Sequence, residues 1–188
     1  MYTFLKDKIL DERGREIMMN WEIPIMKEHA KIVTKNGGDI LEIGFGMGIC
    51  SNFIQKAKIN THTIIEINDQ IFKRLLKWAK DKPNVIPIKG DWFDNIPKNQ
   101  KYDGIMHDTW KEKNYKSLYQ IIPTILKPKG IFTYYTPDTR EVIKHNSKTK
   151  YKWGTVNITK INVNPPIKKM NYKYFTRKDY YVPKITID

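Results

Sequence analysis

The stretch that decides the fold is Asp39-Ile-Leu-Glu42-Ile-Gly44-Phe-Gly46-Met-Gly48, an apolar run followed by three alternate glycines. The apolar run predicts a buried strand, and residues 49–58 predict a helix directly after the glycines. Glycines in such a loop adopt backbone angles that other residues disfavour, and they let a ligand lie against bare backbone. The spacing is not the dinucleotide fingerprint G-x-G-x-x-G, and no P-loop lysine follows. The stretch therefore predicts a small cofactor without phosphates, with S-adenosylmethionine as the leading candidate.

Length and composition predict one domain covering residues 1–188, in which residues 1–17 form a short N-terminal segment. Lysine and arginine outnumber aspartate and glutamate by 34 to 20, which gives a net charge of +14. We favour a solvated lysine-rich surface over a nucleic-acid-binding module, because no arginine-rich or aromatic-interleaved segment stands out. The basic tail at residues 168–178 keeps nucleic acid or another polyanion open as a partner.

The same composition predicts a soluble, cytoplasmic protein without a metal. The single Cys50 excludes an intrachain disulfide, and the four histidines form no cluster at zinc-ligand spacing. No apolar stretch is long enough to cross a bilayer, and the N-terminus lacks a secretory pattern.

The rest of the chain alternates predicted strands and helices, which indicates an α/β fold with a mostly parallel sheet covered on both faces. Two further strands, separated by Asn164-Pro165-Pro166, predict a C-terminal antiparallel pair that closes the sheet. The predicted strands are 40–43, 63–67, 85–89, 102–107, 130–135, 155–163 and 172–182, and the predicted helices are 21–34, 49–58, 70–80 and 115–126.

Polar and aromatic residues follow the predicted strands, where open α/β sheets bind their ligands. Glu42 ends the first of these strands, and packing alone does not explain an acid there. Glu66 ends the second, at a distance from Gly44 typical of an acid that binds ribose hydroxyls; the alternative is a helix cap. Trp92 and Phe93 follow the third and could pack against an adenine or equally belong to the core.

Asp108 ends the fourth predicted strand and is our candidate general base. His107 is its neighbour, and alternation along a strand points the two side chains to opposite faces, so we predict a packed histidine. Asp103 starts the same strand and should face away from the cofactor end, in a turn or cap. Glu22, in the segment before the first sheet strand, could be an ordinary acid in the first turn of a helix.

Taken together, these residues resemble guanidinoacetate N-methyltransferase and its arginine-methylating relatives, from about residue 14 to the C-terminus. The glycine loop alone indicates only a methyltransferase, whereas its combination with Trp-Glu-x-Pro and a strand-ending Asp-Thr is far more specific. The matching segments are Met18-Met-Asn-Trp-Glu22-Ile-Pro, Leu41-Glu-Ile-Gly-Phe-Gly-Met-Gly-Ile49, Ile64-Ile-Glu66-Ile-Asn68-Asp69, Val85-Ile-Pro-Ile-Lys-Gly90, Tyr102-Asp-Gly-Ile, Asp108-Thr109, Leu126-Lys-Pro and Thr133-Tyr134.

The resemblance implies a Rossmann-like, seven-stranded methyltransferase that binds S-adenosylmethionine. It implies that Glu22 and Asp108 hold the guanidino group of the acceptor, with Asp108 taking its proton. The cofactor contacts that it implies are Met18, Met26, Phe45, Gly46, Met47, Gly48, Ile49, Cys50, Glu66, Ile67, Asn68, Trp92 and Phe93.

Two departures from the family pattern concern the acceptor. The segment before Met18 is shorter than the one that folds over the site in the family, so we expect a reduced or differently built lid. Where the family has Cys-Asn-Leu-Thr-Ser, whose backbone receives the acceptor's carboxylate, this chain has Tyr135-Thr136-Pro137-Asp138-Thr139. Thr136 and Pro137 are the matching substrate-binding positions, but Pro137 lacks an amide donor and Asp138 adds a negative charge, for which Arg140 could compensate.

Three functions remain open from the sequence. The first, which the sequence favours, is N-methylation of a small guanidino compound such as guanidinoacetate, with that small molecule as the partner. The second is methylation of protein arginine or nucleic acid on the same fold, although no Asn/Asp-Pro-Pro-Tyr segment for base methylation stands at Asp108. The third is a non-catalytic cofactor-binding interaction domain, against which the pair of carboxylates argues.

Overall fold

The structure is a computed structural model that describes residues 1–109, 115–137 and 154–187. It begins with a small antiparallel sheet of three strands: β1 (Thr3–Phe4), β2 (Lys8–Leu10) and β3 (Glu16–Met19). A short 3-10 helix (Asn20–Glu22) then leads into helix α1 (Ile23–Val33), which has a proline in its first turn. Proline is tolerated there because the first amides of a helix have no intrahelical acceptor.

The second sheet has seven strands in the order β6-β5-β4-β7-β8-β10-β9. Strands β4 to β8 pair in parallel, and β10 lies antiparallel between β8 and β9. The strands are β4 (Asp39–Ile43), β5 (Thr61–Glu66), β6 (Val85–Lys89), β7 (Tyr102–His107), β8 (Leu126–Tyr134), β9 (Gly154–Asn162) and β10 (Asp179–Ile187). The predicted α/β, Rossmann-like sheet with a C-terminal antiparallel strand pair is confirmed.

Four more helices follow the strands: α2 (Ile49–Ile54), α3 (Asp69–Ala79), α4 (Trp92–Asn95) and α5 (Tyr115–Ile125). Asn68 caps α3 by accepting hydrogen bonds from the amides of Gln70 and Ile71. The strand order reverses between β4 and β7, and a crevice forms at the carboxyl ends of strands at such a point. None of the helices in the described ranges is long and apolar enough to cross a membrane.

The central strands are apolar on both faces, as expected for strands covered on both sides. On one face Ile40 packs with Met26, Met106 and other residues of the α1 and α2 layer. On the other face Leu41 packs with Ile105, together with residues from β8 and α5.

Several predicted boundaries are wrong. The last strand covers residues 179–187 rather than 172–182, because residues 171–178 are held by the N-terminal sheet and by aromatic contacts described below. The helix predicted from residue 21 begins at Ile23, after the separate 3-10 turn. The three strands before residue 20 were not predicted, because each is only two to four residues long.

Candidate functional site

A cavity of about 800 Å³ opens at the carboxyl ends of β4, β5 and β7, beneath the N-terminal sheet. Predicted site residues that line it are Met18, Glu22, Gly44, Gly46, Glu66, Ile67, Asn68, Trp92, Asp108 and Pro137. Lining residues that the sequence did not single out for the site include Tyr2, Arg15, Tyr135, Tyr172 and Tyr174.

Gly44 lets the ends of two strands approach each other. Its φ is 92°, and a Cβ at this position would lie 1.9 Å from the carbonyl oxygen of Asp108. The Asp108 amide in turn donates a 2.8 Å hydrogen bond to the carbonyl of Ile43. No other residue fits at this φ and this distance, so the glycine fixes the backbone from which the Asp108 side chain reaches the cavity.

Gly46 brings the loop against the N-terminal sheet. A Cβ on Gly46 would lie 2.7 Å from the sulfur of Met18, and the neighbouring Met47 amide contacts the same sulfur at 3.3 Å. Met18 lies in the last strand of the small sheet, which leads through Met19 into the 3-10 turn that carries Glu22. The glycine loop, which follows β4, is therefore in contact with the N-terminal sheet that lies over the cavity.

Glu66 lies at the end of β5 with its carboxylate turned toward the glycine loop. Its two oxygens accept hydrogen bonds from the amides of Phe45 at 3.0 Å and Asn68 at 2.7 Å. Burial raises the pKa of this carboxyl, although the backbone donors act in the opposite direction. Since Asn68 caps α3, Glu66 is not needed as a cap. The amides of Gly46 and Ile67 also act on this carboxylate, so Glu66 lies among several backbone donors at the cavity edge.

Asp108 follows β7 and lines the cavity. Burial, together with the negative charges of Glu42 and Glu66, raises its pKa from 3.8 to about 7. Among the described residues none donates a hydrogen bond to its carboxylate. The side chain is therefore available to a cationic ligand, and its proton affinity near neutrality suits a general base.

Glu22 is only 2% exposed and lines the same cavity, so it is not an ordinary exposed acid of a first helical turn. Its Oε1 accepts hydrogen bonds from the Met19 amide at 2.8 Å and from the Tyr174 hydroxyl at 2.6 Å. Burial, opposed by these donors and reinforced by the charge of Asp108, raises its pKa to about 8. Two acids whose pKa values are raised this far form a site suited to a cation.

The structure does not bring Glu42 to the cavity. Its carboxylate lies on the opposite side of β4, where it accepts hydrogen bonds from Ser51 at 2.6 Å and His62 at 2.9 Å. Strand alternation gives the reason, because Glu42 shares the face of Ile40, whereas Ile43 faces the cavity. Glu42 is therefore buried beneath the loop and is not among the lining residues, and its contact with the cofactor stays a prediction.

Other predicted contacts also lie outside the cavity lining. Met26 is fully buried in the α1 core layer, and Phe45 packs against the ring of Trp78 at a centroid distance of 5.4 Å. Phe93 is 45% exposed on the outside of α4. The remaining predicted residues that are not among the lining residues are Met47, Gly48, Ile49, Cys50 and Thr136.

Two other polar residues of β7, His107 and Asp103, are not among the residues that line the cavity. His107 is buried, with its ring edge-on to Trp92 at a centroid distance of 5.7 Å. Asp103 lies at the other end of the strand, where it accepts from the Asp39 amide and pairs with Lys127, both within 2.8 Å.

Tyr174 and Tyr172 had appeared only as part of the basic tail, and Tyr135 only within the acceptor segment. Tyr172 and Tyr174 reach the cavity through contacts between residues more than 150 positions apart in the sequence. Examples are the hydrogen bonds from the amides of Asn171 and Tyr172 to Glu16. The alternation of aromatic residues in the tail was the one available signal. The predicted acceptor residues Asp138, Thr139 and Arg140 lie outside the described residues.

No group of three or more histidine, cysteine or acidic side chains that could hold a metal is found within residues 1–109, 115–137 and 154–187.

Comparison with known proteins identifies the family of this chain. A sequence model of the family "Guanidinoacetate N-methyltransferase" matches residues 4–151. Protein arginine N-methyltransferase 2 of Candida glabrata is 30% identical over 97% of this chain and 50% of its own length. The protein of the same name from Kluyveromyces lactis is 34% identical over 70% of this chain and 36% of its own length. The chain thus spans half or less of the length of these relatives.

Solved structures of methyltransferases share the fold at low identity. N-methyltransferase NodS from Bradyrhizobium japonicum, in complex with S-adenosyl-L-homocysteine, superposes with a TM-score of 0.65 at 12% identity, over 89% of this chain and 87% of that one. Precorrin-6y C5,15-methyltransferase from Geobacter metallireducens gives a TM-score of 0.64 at 12% identity, over 98% and 93%. By its matched residues, its fold and its sequence relatives, the chain belongs to the guanidinoacetate N-methyltransferase family of S-adenosylmethionine-dependent methyltransferases.

Proposed function

We propose that this protein transfers a methyl group from S-adenosylmethionine to a nitrogen of a guanidino group. The observation that carries the proposal is that two carboxylates, the buried Glu22 and the half-buried Asp108, line one cavity beside the glycine loop. A guanidinium is a planar cation with five fixed N–H donors, and paired carboxylate oxygens satisfy it best. A non-catalytic binding module would have no need for this pair.

The cavity fits the cofactor at its other end. Gly44 and Gly46 leave no side chain between the loop backbone and the cavity, and Glu66 presents acceptor oxygens suited to ribose hydroxyls. Trp92 adds an apolar ring to the lining. When bound, S-adenosylmethionine supplies an activated methyl group, so the protein needs no covalent intermediate of its own.

The carboxylates prepare the acceptor for reaction. A guanidinium has a pKa of roughly 12 or more, and its nitrogen cannot attack a methyl group until a proton has left. Glu22 and Asp108 together draw the positive charge and hold one nitrogen in place. Asp108, with its pKa near 7 and a carboxylate that accepts from none of the described donors, takes the proton.

An arginine side chain of a protein is the acceptor that we favour over guanidinoacetate. The Thr136 amide donates to the Tyr180 hydroxyl at 2.9 Å, and Pro137 has no amide. Neither backbone position thus offers a spare donor for the carboxylate of a small acceptor. The relatives named protein arginine N-methyltransferase 2 support the same choice. The small-molecule acceptor remains the competing hypothesis, favoured by the name of the family.

The decisive experiment measures cofactor binding and methyl transfer in the same preparation. Isothermal titration with S-adenosylhomocysteine comes first, followed by S-adenosylhomocysteine production with an arginine-containing peptide, guanidinoacetate, free arginine and a duplex DNA in turn. We expect binding, and turnover with the peptide above all. Asp108→Asn should abolish turnover while leaving S-adenosylhomocysteine binding within about threefold of wild type. Turnover on DNA alone, or near-normal activity of Asp108→Asn, would refute the proposal.

We also propose that residues 1–188 form one domain. Support comes from Glu16 in the N-terminal sheet, which accepts hydrogen bonds from the amides of Asn171 and Tyr172 in the C-terminal part of the chain. Limited proteolysis should then leave no stable fragment lacking either end, and a single cooperative unfolding transition is expected.

A further inference from the structure

We propose that the Tyr174 hydroxyl is a positioning group that fixes Glu22 so that only its Oε2 is offered to the acceptor, a role that rests on the function proposed above. Tyr174 lies beyond residues 4–151, which the family model matches. It belongs to the segment before β10 and lines the cavity.

The direction of the hydrogen bonds around Tyr174 is set by chemistry. The indole Nε1 of Trp21 lies 3.1 Å from the Tyr174 hydroxyl, and an indole N–H can only donate. The hydroxyl oxygen is therefore an acceptor toward Trp21, and its own proton points to Glu22 Oε1 at 2.6 Å. Trp21 thus donates to Tyr174, and Tyr174 donates to Glu22. In such a chain of hydrogen bonds each bond polarises the next.

These hydrogen bonds leave the two oxygens of Glu22 with different numbers of donors. Oε1 receives both the Tyr174 hydroxyl and the Met19 amide, which occupy its two lone-pair directions. No described residue makes a hydrogen bond of normal geometry to Oε2, although the Tyr135 hydroxyl lies close enough to Glu22 to lower its pKa. A bound guanidinium would then meet one oxygen of Glu22 and both oxygens of Asp108, which is a defined orientation rather than two equivalent ones.

Aromatic packing holds Tyr174 in this position. The ring of Trp21 stacks on Phe175 at 5.6 Å with an interplanar angle of 16°, and Tyr174 stacks on Tyr172 at 6.3 Å. The Tyr172 amide is in turn bound by Glu16. The hydroxyl can therefore keep its place when the methyl acceptor enters, as a positioning group must.

The pKa of Glu22 reports on the hydrogen bond that it accepts from the Tyr174 hydroxyl. Besides Tyr174, the charged and titratable groups that face Glu22 are Tyr135 and Asp108, and the Met19 amide is its other donor. A hydrogen bond to the ionised form lowers a carboxyl pKa, so removing the Tyr174 hydroxyl should raise the pKa of Glu22. A role in packing alone would not move this titration.

The test compares wild type with Tyr174→Phe, which keeps the ring and removes the hydroxyl. We expect KM for the guanidino acceptor to rise about tenfold, with kcat changed less and S-adenosylhomocysteine affinity within about twofold. The acid limb of the pH profile of kcat/KM should move up by about one pH unit. Trp21→Phe should give a smaller shift in the same direction, of about threefold in KM. Tyr181→Phe, in β10, is the matched control.

A second measurement does not depend on turnover. In protein labelled with carbon-13 at the glutamate carboxyls, the Glu22 signal, assigned with Glu22→Gln, should titrate at higher pH in Tyr174→Phe than in wild type. An unchanged Glu22 titration overturns the positioning role, and so does a loss of S-adenosylhomocysteine affinity in step with KM. If wild type binds S-adenosylhomocysteine but methylates no guanidino compound, the proposed function fails while the carbon titration still decides the role of Tyr174.

Discussion

Replacing Asp108 with asparagine should stabilise the protein at neutral and alkaline pH. The pKa of Asp108 rises from 3.8 to about 7 because partial removal from water and the charges of Glu42 and Glu66 disfavour its ionised form. The folded state therefore holds the proton more tightly than the unfolded state. Wild type should lose stability as the pH rises from about 4 to about 7, where the folded protein must carry the buried charge.

The size of the effect follows from the two pKa values. One pKa unit corresponds to about 1.4 kcal/mol, so full ionisation opposes folding by roughly 4 kcal/mol. Solvent in the open cavity reduces this figure, and we expect a gain of roughly 2–4 kcal/mol for Asp108→Asn at pH 8. The gain should shrink toward zero at pH 4, because both proteins are then neutral at this position.

Urea unfolding of both proteins between pH 4 and pH 8.5, in the absence of cofactor, measures this difference directly. Asp81→Asn removes one exposed carboxylate and serves as the control for a change in net charge. Parallel stability curves for wild type and Asp108→Asn between pH 5 and pH 8 would refute the reasoning, as would a variant that is less stable at pH 8. Either result would mean that Asp108 is solvated or paired in the folded protein.

Three further predictions concern the loop, the cofactor and the core. Gly44→Ala should destabilise the protein by more than about 2 kcal/mol in urea unfolding, since its Cβ would overlap the Asp108 carbonyl, whereas Gly14→Ala, with a similar positive φ and open space, should lose only about 1 kcal/mol. Glu66→Gln should weaken S-adenosylhomocysteine binding about tenfold by isothermal titration with folding retained. Burial lowers the pKa of His29 from 6.5 to about 3, so stability should fall as the pH drops below 6.5, and His29→Leu should lose that part of the acid dependence in thermal unfolding at pH 7 and 4.5.

The α/β core followed from the sequence because its signals are local. Strands β6 and β7 have the predicted bounds, since each is a short apolar run with a turn on either side. Asp108 was placed at the cavity by the same kind of reasoning, because it directly follows such a run. Glu42 is absent from the cavity lining because a residue inside a strand takes its face from alternation and not from its distance to the glycines.

The structure of the aromatic segment at residues 172–182 could not be predicted in the same way. Residues 172–182 alternate aromatic and polar side chains, which is the pattern of a strand, and the first half of that range is not one. Glu16 binds the amides of Asn171 and Tyr172, and Trp21 packs on Phe175. These contacts join residues more than 150 positions apart, and no local pattern reports them. Hydrogen bonds donated by these amides to a buried carboxylate outweighed strand propensity here.

The two halves of the site differ in how they are built. The cofactor half comes from the ends of β4 and β5, which belong to a sheet shared with methyltransferases of 12% identity. The acceptor half combines Asp108 with Glu22 from the N-terminal part and Tyr174 from the C-terminal part. Under the proposed function, Glu22 and Tyr174 carry the contacts that orient the acceptor, whereas the glycine loop does not. Substitutions in the 3-10 turn or in the segment around Tyr174 should therefore change acceptor preference. Substitutions at the ends of β4 and β5 should instead change cofactor affinity.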